Sequence, residues 1–415
     1  MSKLPITRSR KGIRVLVLPL AAAALLLTAC GSGKSDGPAK VDSAQGNQVE
    51  AAKDKNESKD TPVNVTVDPP NGTQGVAPGK PITVTADSGT LTTVRIADGQ
   101  QRAIEGTLAA DGRSWTSTTR TVPGVTYTVT TTTRAKKGTE STTTSTFGTL
   151  KATTVNKVTL RPANGGTFGV AQPVSVMFDT PVKDKAEVER NLKVTTAPNV
   201  DGSWGWTKDE SGKDRVDWRP REFWATGTKV TLNANLGGVA SGPGTYFARD
   251  YESTFTVGTN RVVEVDVPKH RLTVKEDGVA VKTIKMSAGS NEFPTRGGTH
   301  VILSKNAKET LDSTTVGLGD SYNLPDVPWV VHFTSSGTFF HSAAWNTANI
   351  GVANTSHGCV GMTVPDAEWF FNRVEVGDPV VVKGSNNTEA TAAGNGFGNW
   401  QLTWDQWKAK SALVG

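Results

Sequence analysis

Cysteine is nearly absent from this chain of 415 residues: only Cys30 and Cys359 occur. Two thiols so far apart exclude a disulfide framework and a Cys-x-x-Cys metal knuckle. Apolar runs are equally scarce. After Leu27 no stretch is long enough to cross a bilayer. Acid and base are also close to balance. Of 45 basic side chains against 39 acidic ones, five (Lys3, Arg8, Arg10, Lys11, Arg14) crowd the first residues, leaving 40 against 39. The formal charge of +6 therefore belongs to a leader, and with no basic run interleaved with aromatics the chain is not expected to bind nucleic acid.

The leader itself is informative. A basic segment without acid precedes an apolar stretch, 15–27, that is short for a transmembrane helix, which is the pattern of a secretory signal over residues 1–30. Its end, Leu27-Thr28-Ala29-Cys30, resembles the bacterial lipobox, and the resemblance implies lipidation of Cys30 and an exported protein held to the outer face of the cytoplasmic membrane. Residues 31–60 are Gly, Ser, Lys, Asp and Asn with hardly an aliphatic side chain, a composition that cannot order itself and reads as a tether.

An internal repeat organises the next two hundred or so residues. Asn71-Gly72, then Gly75-Val76-Ala77 and Pro81-Ile82-Thr83-Val84, recurs as Asn164-Gly165, then Gly169-Val170-Ala171 and Pro173-Val174-Ser175-Val176. Between these markers lie short Thr/Val alternations such as 126–133 and 229–233, bounded by Gly, Pro and Asn, and no helical period. Two β-sandwiches are expected, 61–152 and 153–258, with Trp115 and Trp218 plugging their cores. They resemble bacterial immunoglobulin-like domains without the disulfide and carry no chemistry of their own, which suits a spacer.

From 259 to 383 the pattern stays mainly β. Strands are expected at 262–267, 272–275, 279–285, 300–303, 329–333, 338–341 and 379–383, with a hairpin at Glu276-Asp277-Gly278. One helix is legible: Thr363 and Asp366 cap it, Pro365 suits its first turn, and Trp369, Phe370 and Val374 form its buried side.

In this domain His341-Ser342 is followed closely by Ser356-His357-Gly358-Cys359. A thiol is mostly protonated at neutral pH and reacts as the thiolate, so an imidazole that takes its proton activates it. His341 and Cys359 supply that pair of groups, and Gly358 lets backbone approach a tetrahedral centre closely. The serine route of Ser-x-x-Lys with Lys-Thr-Gly is missing. His332 and His300 lie in strand-like runs and His270 beside a hairpin, where satisfied or solvated imidazoles are expected.

The histidine, the gap and Ser-His-Gly-Cys, together with the opening hairpin, Ser287-Ala288-Gly289 and Pro294-Thr295-Arg296-Gly297-Gly298, resemble the YkuD-type catalytic domain of the L,D-transpeptidases, in their lipid-anchored multidomain form. That resemblance implies a peptidoglycan acyltransferase, monomeric and without cofactor or metal, that carbapenems acylate. Cys359 would be the nucleophile, His341 the general base and acid, the Ser342 carbonyl the group orienting His341, and the Gly358 amide (with that of Cys359) the oxyanion donor. His357 would support the turn by hydrogen bonding, and Tyr322, Ser336 and Gly337 would line the acyl-donor groove and lid. One departure stands out: Gly361 occupies the place of the family's usual Asn in Cys359-Val360-Gly361-Met362, so side-chain hydrogen bonds to a donor stem are lost there. Alternatives from other classes remain: a His341/His357/Cys359 zinc site serving a wall hydrolase, an L,D-carboxypeptidase, or a non-catalytic wall-binding lipoprotein.

Residues 384–415 form an extension, first Gly/Asn-rich, then with Trp400, Trp404 and Trp407 spaced as one face of a short helix that Thr403 and Gln406 cap. Such a stripe is expected to dock on the catalytic domain or the second sandwich.

Overall fold

The computed structural model describes residues 61–316, 319–389 and 391–414. The signal segment, Cys30 and the 31–60 tether lie outside the described residues. Among those described, no helix is long and apolar enough to cross a membrane.

The protein is mainly β throughout. In the first sandwich a sheet of Val65–Asp68, Thr83–Ala86, Ser114–Ser117 and Gly106–Leu108 faces a sheet of Ala103–Ile104, Thr90–Asp98, Thr126–Arg134 and Glu140–Gly148. The Thr/Val alternation does what its period dictates: along Thr126–Arg134, Tyr127, Val129, Thr131 and Thr133 are buried and the intervening residues face outward. Trp115 is buried in this core. The second sandwich places Val158–Arg161, Val174–Phe178, Asp214–Pro220 and Gly202–Lys208 against Thr167–Phe168, Tyr251–Val257, Lys229–Ala234 and Leu192–Ala197. Trp218 plugs it, stacked on Trp224 at 5.4 Å.

The repeated Asn-Gly has one structural job in both sandwiches. Asn71 Oδ1 accepts from Thr146 N–H at 2.8 Å, and Asn164 Oδ1 accepts from Thr254 N–H at 2.8 Å. The glycine after each asparagine donates its N–H to the carbonyl of the same residue, Gly72 to Thr146 and Gly165 to Thr254, each at 2.7 Å. Both glycines sit at positive φ, 79° and 80°, which the turn requires.

The third domain is built on two sheets. One runs Val279–Lys285, Arg271–Glu276, Arg261–Asp266, Pro379–Lys383, Gly298–Val301; the other runs Ser304–Asp312, Asn323–His332, Phe339–Ser342, Val360–Met362. The hairpin signal is realised by Asp277 and Gly278, both at positive φ (47° and 80°), between paired Glu276 and Val279. Helix Val364–Arg373 starts at Thr363, whose side chain accepts from Asp366 N–H. Ala367, Phe370 and Val374 are fully buried under the four-stranded sheet, whereas Trp369 is only partly buried and carries Lys282 over its ring at 4.6 Å. Strand Asn323–His332 starts well before the expected 329, because Leu324 and Val327 pack in a satellite cluster with Leu311 and Phe339.

Second sandwich and third domain share backbone hydrogen bonds. Gly169 N–H donates to Val376 O at 2.8 Å and Ala171 N–H to Gly377 O at 2.9 Å. A Cβ on Gly169 would lie 2.1 Å from Asp378 N, so only glycine admits this approach.

The extension returns to the second sandwich. Helix Trp404–Lys408 has the Thr403/Gln406 capping box, and Trp407, fully buried, lies against Gly205 and donates Nε1–H to Ser203 O at 3.0 Å. Trp400 departs from the expected stripe. It belongs to a separate 3-10 turn, Gly398–Gln401, because Leu402 is extended and interrupts the helix. The three indoles nevertheless converge on one cation, the Arg219 guanidinium, 4.5, 5.5 and 5.4 Å from the Trp400, Trp404 and Trp407 rings.

Candidate active site

Two short strands create the site. Phe339–Ser342 and Val360–Met362 pair in parallel, with Phe340 opposite Val360 and His341 opposite Gly361. Phe340 and Val360 point into the core. Alternation therefore turns His341, Gly361 and, one residue before the strand, Cys359 to the other face. There a cavity of about 390 Å³ is lined by Cys359, His341, Tyr322, Trp345, Ser356, His357 and Gly361, among others.

The imidazole has a fixed tautomer. His341 Nδ1 lies 2.7 Å from Ser342 O, and since a carbonyl only accepts, Nδ1 carries the hydrogen and Nε2 holds a free lone pair. Burial holds the His341 pKa below the usual imidazole range, so the ring is a neutral base. Trp345 lies flat against it, centroids 5.6 Å apart and planes 11° apart, while remaining 55% exposed. The sequence reading missed this residue: it sits in a 3-10 turn, Ala344–Asn346, with no periodicity to mark it.

Cys359 is a free, buried thiol. Its Sγ–H points to Gly337 O at 3.6 Å, and burial pushes its pKa up to about 12. The resting pair is thus neutral thiol and neutral imidazole. Gly358 before it has φ 120°, the left-handed half of the map that a side chain opposes. Its carbonyl accepts from Thr295 Oγ1 at 2.8 Å, and Thr295 Oγ1 accepts from Gly289 N–H at 2.9 Å. Ser356 closes the turn by donating Oγ–H to Cys359 O at 2.6 Å. Asn354, also missed, ties the approach: its Oδ1 accepts from Ala288 N–H at 2.9 Å and its Nδ2–H donates to Val267 O at 3.0 Å.

The other expected site residues divide between this cavity and its surroundings. The Gly358 N–H already donates to Ser356 Oγ at 3.1 Å, so it is not the free oxyanion donor expected; among the described residues, nothing accepts from the Cys359 N–H. His357 is exposed and packs by its ring, 4.8 Å from Phe293 and 5.3 Å from Tyr322, in place of the expected hydrogen bonding. Tyr322 and Gly337 stand at the cavity and at the thiol. Ser336 does not line the cavity: the chain turns at Gly337 (φ 91°), and Ser336 faces a separate cleft, bonded to Asn395. Gly361 is extended, since its strand needs no positive φ; an added Cβ would meet Ala343 Cβ at 2.9 Å and His341 Cε1 at 3.7 Å. Among the described residues no three His, Cys, Asp or Glu side chains are grouped to hold a metal ion, so the zinc alternative lacks a ligand set.

Similarity to known proteins agrees with this arrangement. A bacterial Ig domain model matches residues 73–240, and an L,D-transpeptidase catalytic domain model matches 260–382. L,D-transpeptidase 2 of Mycobacterium tuberculosis (strain CDC 1551 / Oshkosh) is 32% identical over 391 residues, covering 92% of this chain and 91% of that protein. L,D-transpeptidase 5 of Mycobacterium tuberculosis (strain ATCC 25618 / H37Rv) is 31% identical over 84% of this chain and 77% of its own. The solved structure of LD transpeptidase LdtMt1 in complex with imipenem is 33% identical, covers 54% of this chain and 98% of that one, and gives a TM-score of 0.47. With an Ig match leading into a catalytic-domain match and a relative at 32% identity along nearly its whole length, this chain belongs to the L,D-transpeptidase family of cysteine enzymes.

Proposed function

We propose that the protein cross-links peptidoglycan stems by thiol acyl transfer. His341 Nε2 takes the Sγ proton, and Cys359 sulfur attacks the carbonyl carbon of the third stem residue. The Cys359 N–H stabilises the resulting oxyanion. The C–N bond to the terminal D-Ala breaks, His341 returns its proton to the leaving amine, and a thioester remains. The side-chain amine of a diamino acid on another stem attacks that thioester, His341 takes the amine proton, and the thiol is restored. Trp345 serves the charged moment of each half-reaction, because its ring face stabilises the imidazolium that forms beside it. The observation that carries the reading is the tautomer: Ser342 O holds Nδ1–H and leaves Nε2 as the base in a cavity shared with Cys359.

Cys359→Ala and His341→Ala are expected to lower turnover of tetrapeptide stems by several orders of magnitude, as loss of a nucleophile or its base does. Intact-mass measurement with a carbapenem is expected to show one adduct, absent in Cys359→Ala. Near-normal stem exchange by Cys359→Ala rules the mechanism out.

A thiol pushed up to about 12 gives a signature in the resting enzyme. Burial keeps the thiol protonated at neutral pH, so alkylation by iodoacetamide should still climb roughly tenfold per pH unit through pH 9. An inflection between pH 6 and 7 instead means a resting thiolate–imidazolium pair.

Gly361→Asn tests the departure from the family. Ala343 is buried and donates its N–H to Met362 O at 2.8 Å, so it cannot simply yield to a Cβ at 2.9 Å. The substitution is expected to cost about 1–3 kcal/mol by overpacking and to slow acylation by shifting His341, with Ala343→Gly in the same chain restoring both. Unchanged melting temperature and acylation rate in Gly361→Asn alone count against this account.

We further propose that lipidated Cys30 holds the enzyme to the outer face of the cytoplasmic membrane, supported by the basic, apolar and Leu-Thr-Ala-Cys run. Cys30→Ala is expected to move the protein from the membrane fraction to the soluble one or to stop its processing; unaltered membrane fractionation refutes the anchor.

A further inference from the structure

We propose that Asn395, in the C-terminal extension, is a positioning residue for acyl transfer: it fixes the 334–338 loop whose Gly337 carbonyl receives the Cys359 thiol hydrogen. The inference rests on the Cys359 reading above.

Asn395 grips the loop twice. Its Oδ1 accepts from Ser336 N–H at 2.9 Å and its Nδ2–H donates to Ser336 Oγ at 2.8 Å. Beside it, Gly396 N–H donates to Ser335 Oγ at 2.9 Å. The loop's internal bonds, Thr338 N–H to Thr334 Oγ1 at 2.8 Å and Phe333 N–H to Thr338 O at 3.2 Å, close its neck, and toward the tip they add only a long contact of 3.5 Å from Ser336 Oγ to Thr334 Oγ1. That tip is Gly337, at φ 91°, a residue with wide backbone freedom. The direction of its carbonyl, and with it the seat of the thiol at 3.6 Å, therefore depends on what grips Ser336 from outside.

The gripping segment is itself immobilised by the second sandwich. Arg215, buried and paired with Asp217 at 2.8 Å, donates Nη2–H to Ala393 O at 3.0 Å and to Gly396 O at 2.9 Å, on either side of Asn395. Asn399 Nδ2–H reaches the same Asp217 at 3.2 Å. Gly394 presses so closely on the sandwich that a Cβ there would lie 1.6 Å from Lys208 O. Asn395 is thus held by a buried ion pair on one domain and holds a loop on another. Ser335, Ser336 and Asn395 all line a cleft of about 860 Å³, so the clasp is made at the edge of open space.

The test compares full-length wild type, Asn395→Ala, Asn395→Asp and Ser336→Ala for the rate of Cys359 acylation by a carbapenem, read by intact mass, alongside melting temperature. Asn395→Ala is expected to slow acylation roughly tenfold, since small displacements at a reacting centre are costly. Its melting temperature should fall by only a few degrees, because the lost bonds are solvent-exposed. Asn395→Asp keeps an acceptor for Ser336 N–H, and Ser336 Oγ–H can donate to its second oxygen, so it should recover most of the rate. Ser336→Ala, which loses one arm only, should be slowed less than Asn395→Ala and keeps the test open if that variant fails to fold. Wild-type rates in Asn395→Ala, or no rescue by Asn395→Asp, overturn the proposal. A wild type that takes no adduct on Cys359 refutes the acyl-transfer reading itself, a separate outcome.

Discussion

Everything at the site depends on the parallel pairing of Phe339–Ser342 with Val360–Met362. Parallel strands cannot be joined by a tight turn, so the chain between them must cross over, and here the crossover carries Trp345, Asn354 and the Ser356-His357-Gly358-Cys359 turn. Phe340 and Val360 lock the register from the core side. A slip of one residue turns His341 into the core and Phe340 into the cavity, so the same hydrophobic burial that stabilises the domain places the imidazole and the thiol on one face.

Burial has a second effect, on charge. It raises the thiol and lowers the imidazole, which favours the uncharged pair in the resting protein. Under the proposed mechanism two groups would favour the charged pair: the Trp345 face beside His341 and the Cys359 N–H, which no acceptor among the described residues takes. A thiol kept protonated until a carbonyl arrives is also shielded from oxidation, which tracks thiolate character and exposure.

Legibility in the sequence depended on the range of the interaction. The Asn-Gly repeat, the Asp277-Gly278 hairpin, the Thr363 cap and the Thr403/Gln406 box are local devices, readable within a few residues, and the structure has each of them. Cys359 and His341 stand out in the sequence because reactive residue types are rare here, and the structure lines one cavity with both. The features that escaped depend on distant partners or on chain direction. Ser336 was expected in the donor groove, but a turn at Gly337 sends it to the opposite side. The Gly358 amide was expected free, but a serine two residues before it in the chain satisfies it. Trp400 was assigned to a helix that Leu402 interrupts. Asn395 lay in a stretch that composition alone marks as a mere link.

The shared repeat serves different neighbours in the two sandwiches. In the first, Val76 and Ile82 of the sequence after Asn71-Gly72 pack with Trp115, and Gly79 closes on Gly238 of the second sandwich, where an added Cβ would lie 3.0 Å from the Gly238 carbonyl oxygen. In the second, the equivalent Gly169-Val170-Ala171 divides its work. Val170 enters the sandwich core, whereas Gly169 and Ala171 donate their N–H groups to Val376 and Gly377 of the catalytic domain. Trp400 Nε1–H then donates to the carbonyl of Ala171 at 2.8 Å, so one short repeat element meets catalytic domain and extension together. A spacer needs only a linker at its end. Backbone hydrogen bonds at a junction that tolerates no Cβ therefore fix the second sandwich to the catalytic domain, and the approach of Gly238 to Thr121, equally intolerant of a Cβ, seats the first sandwich on the second.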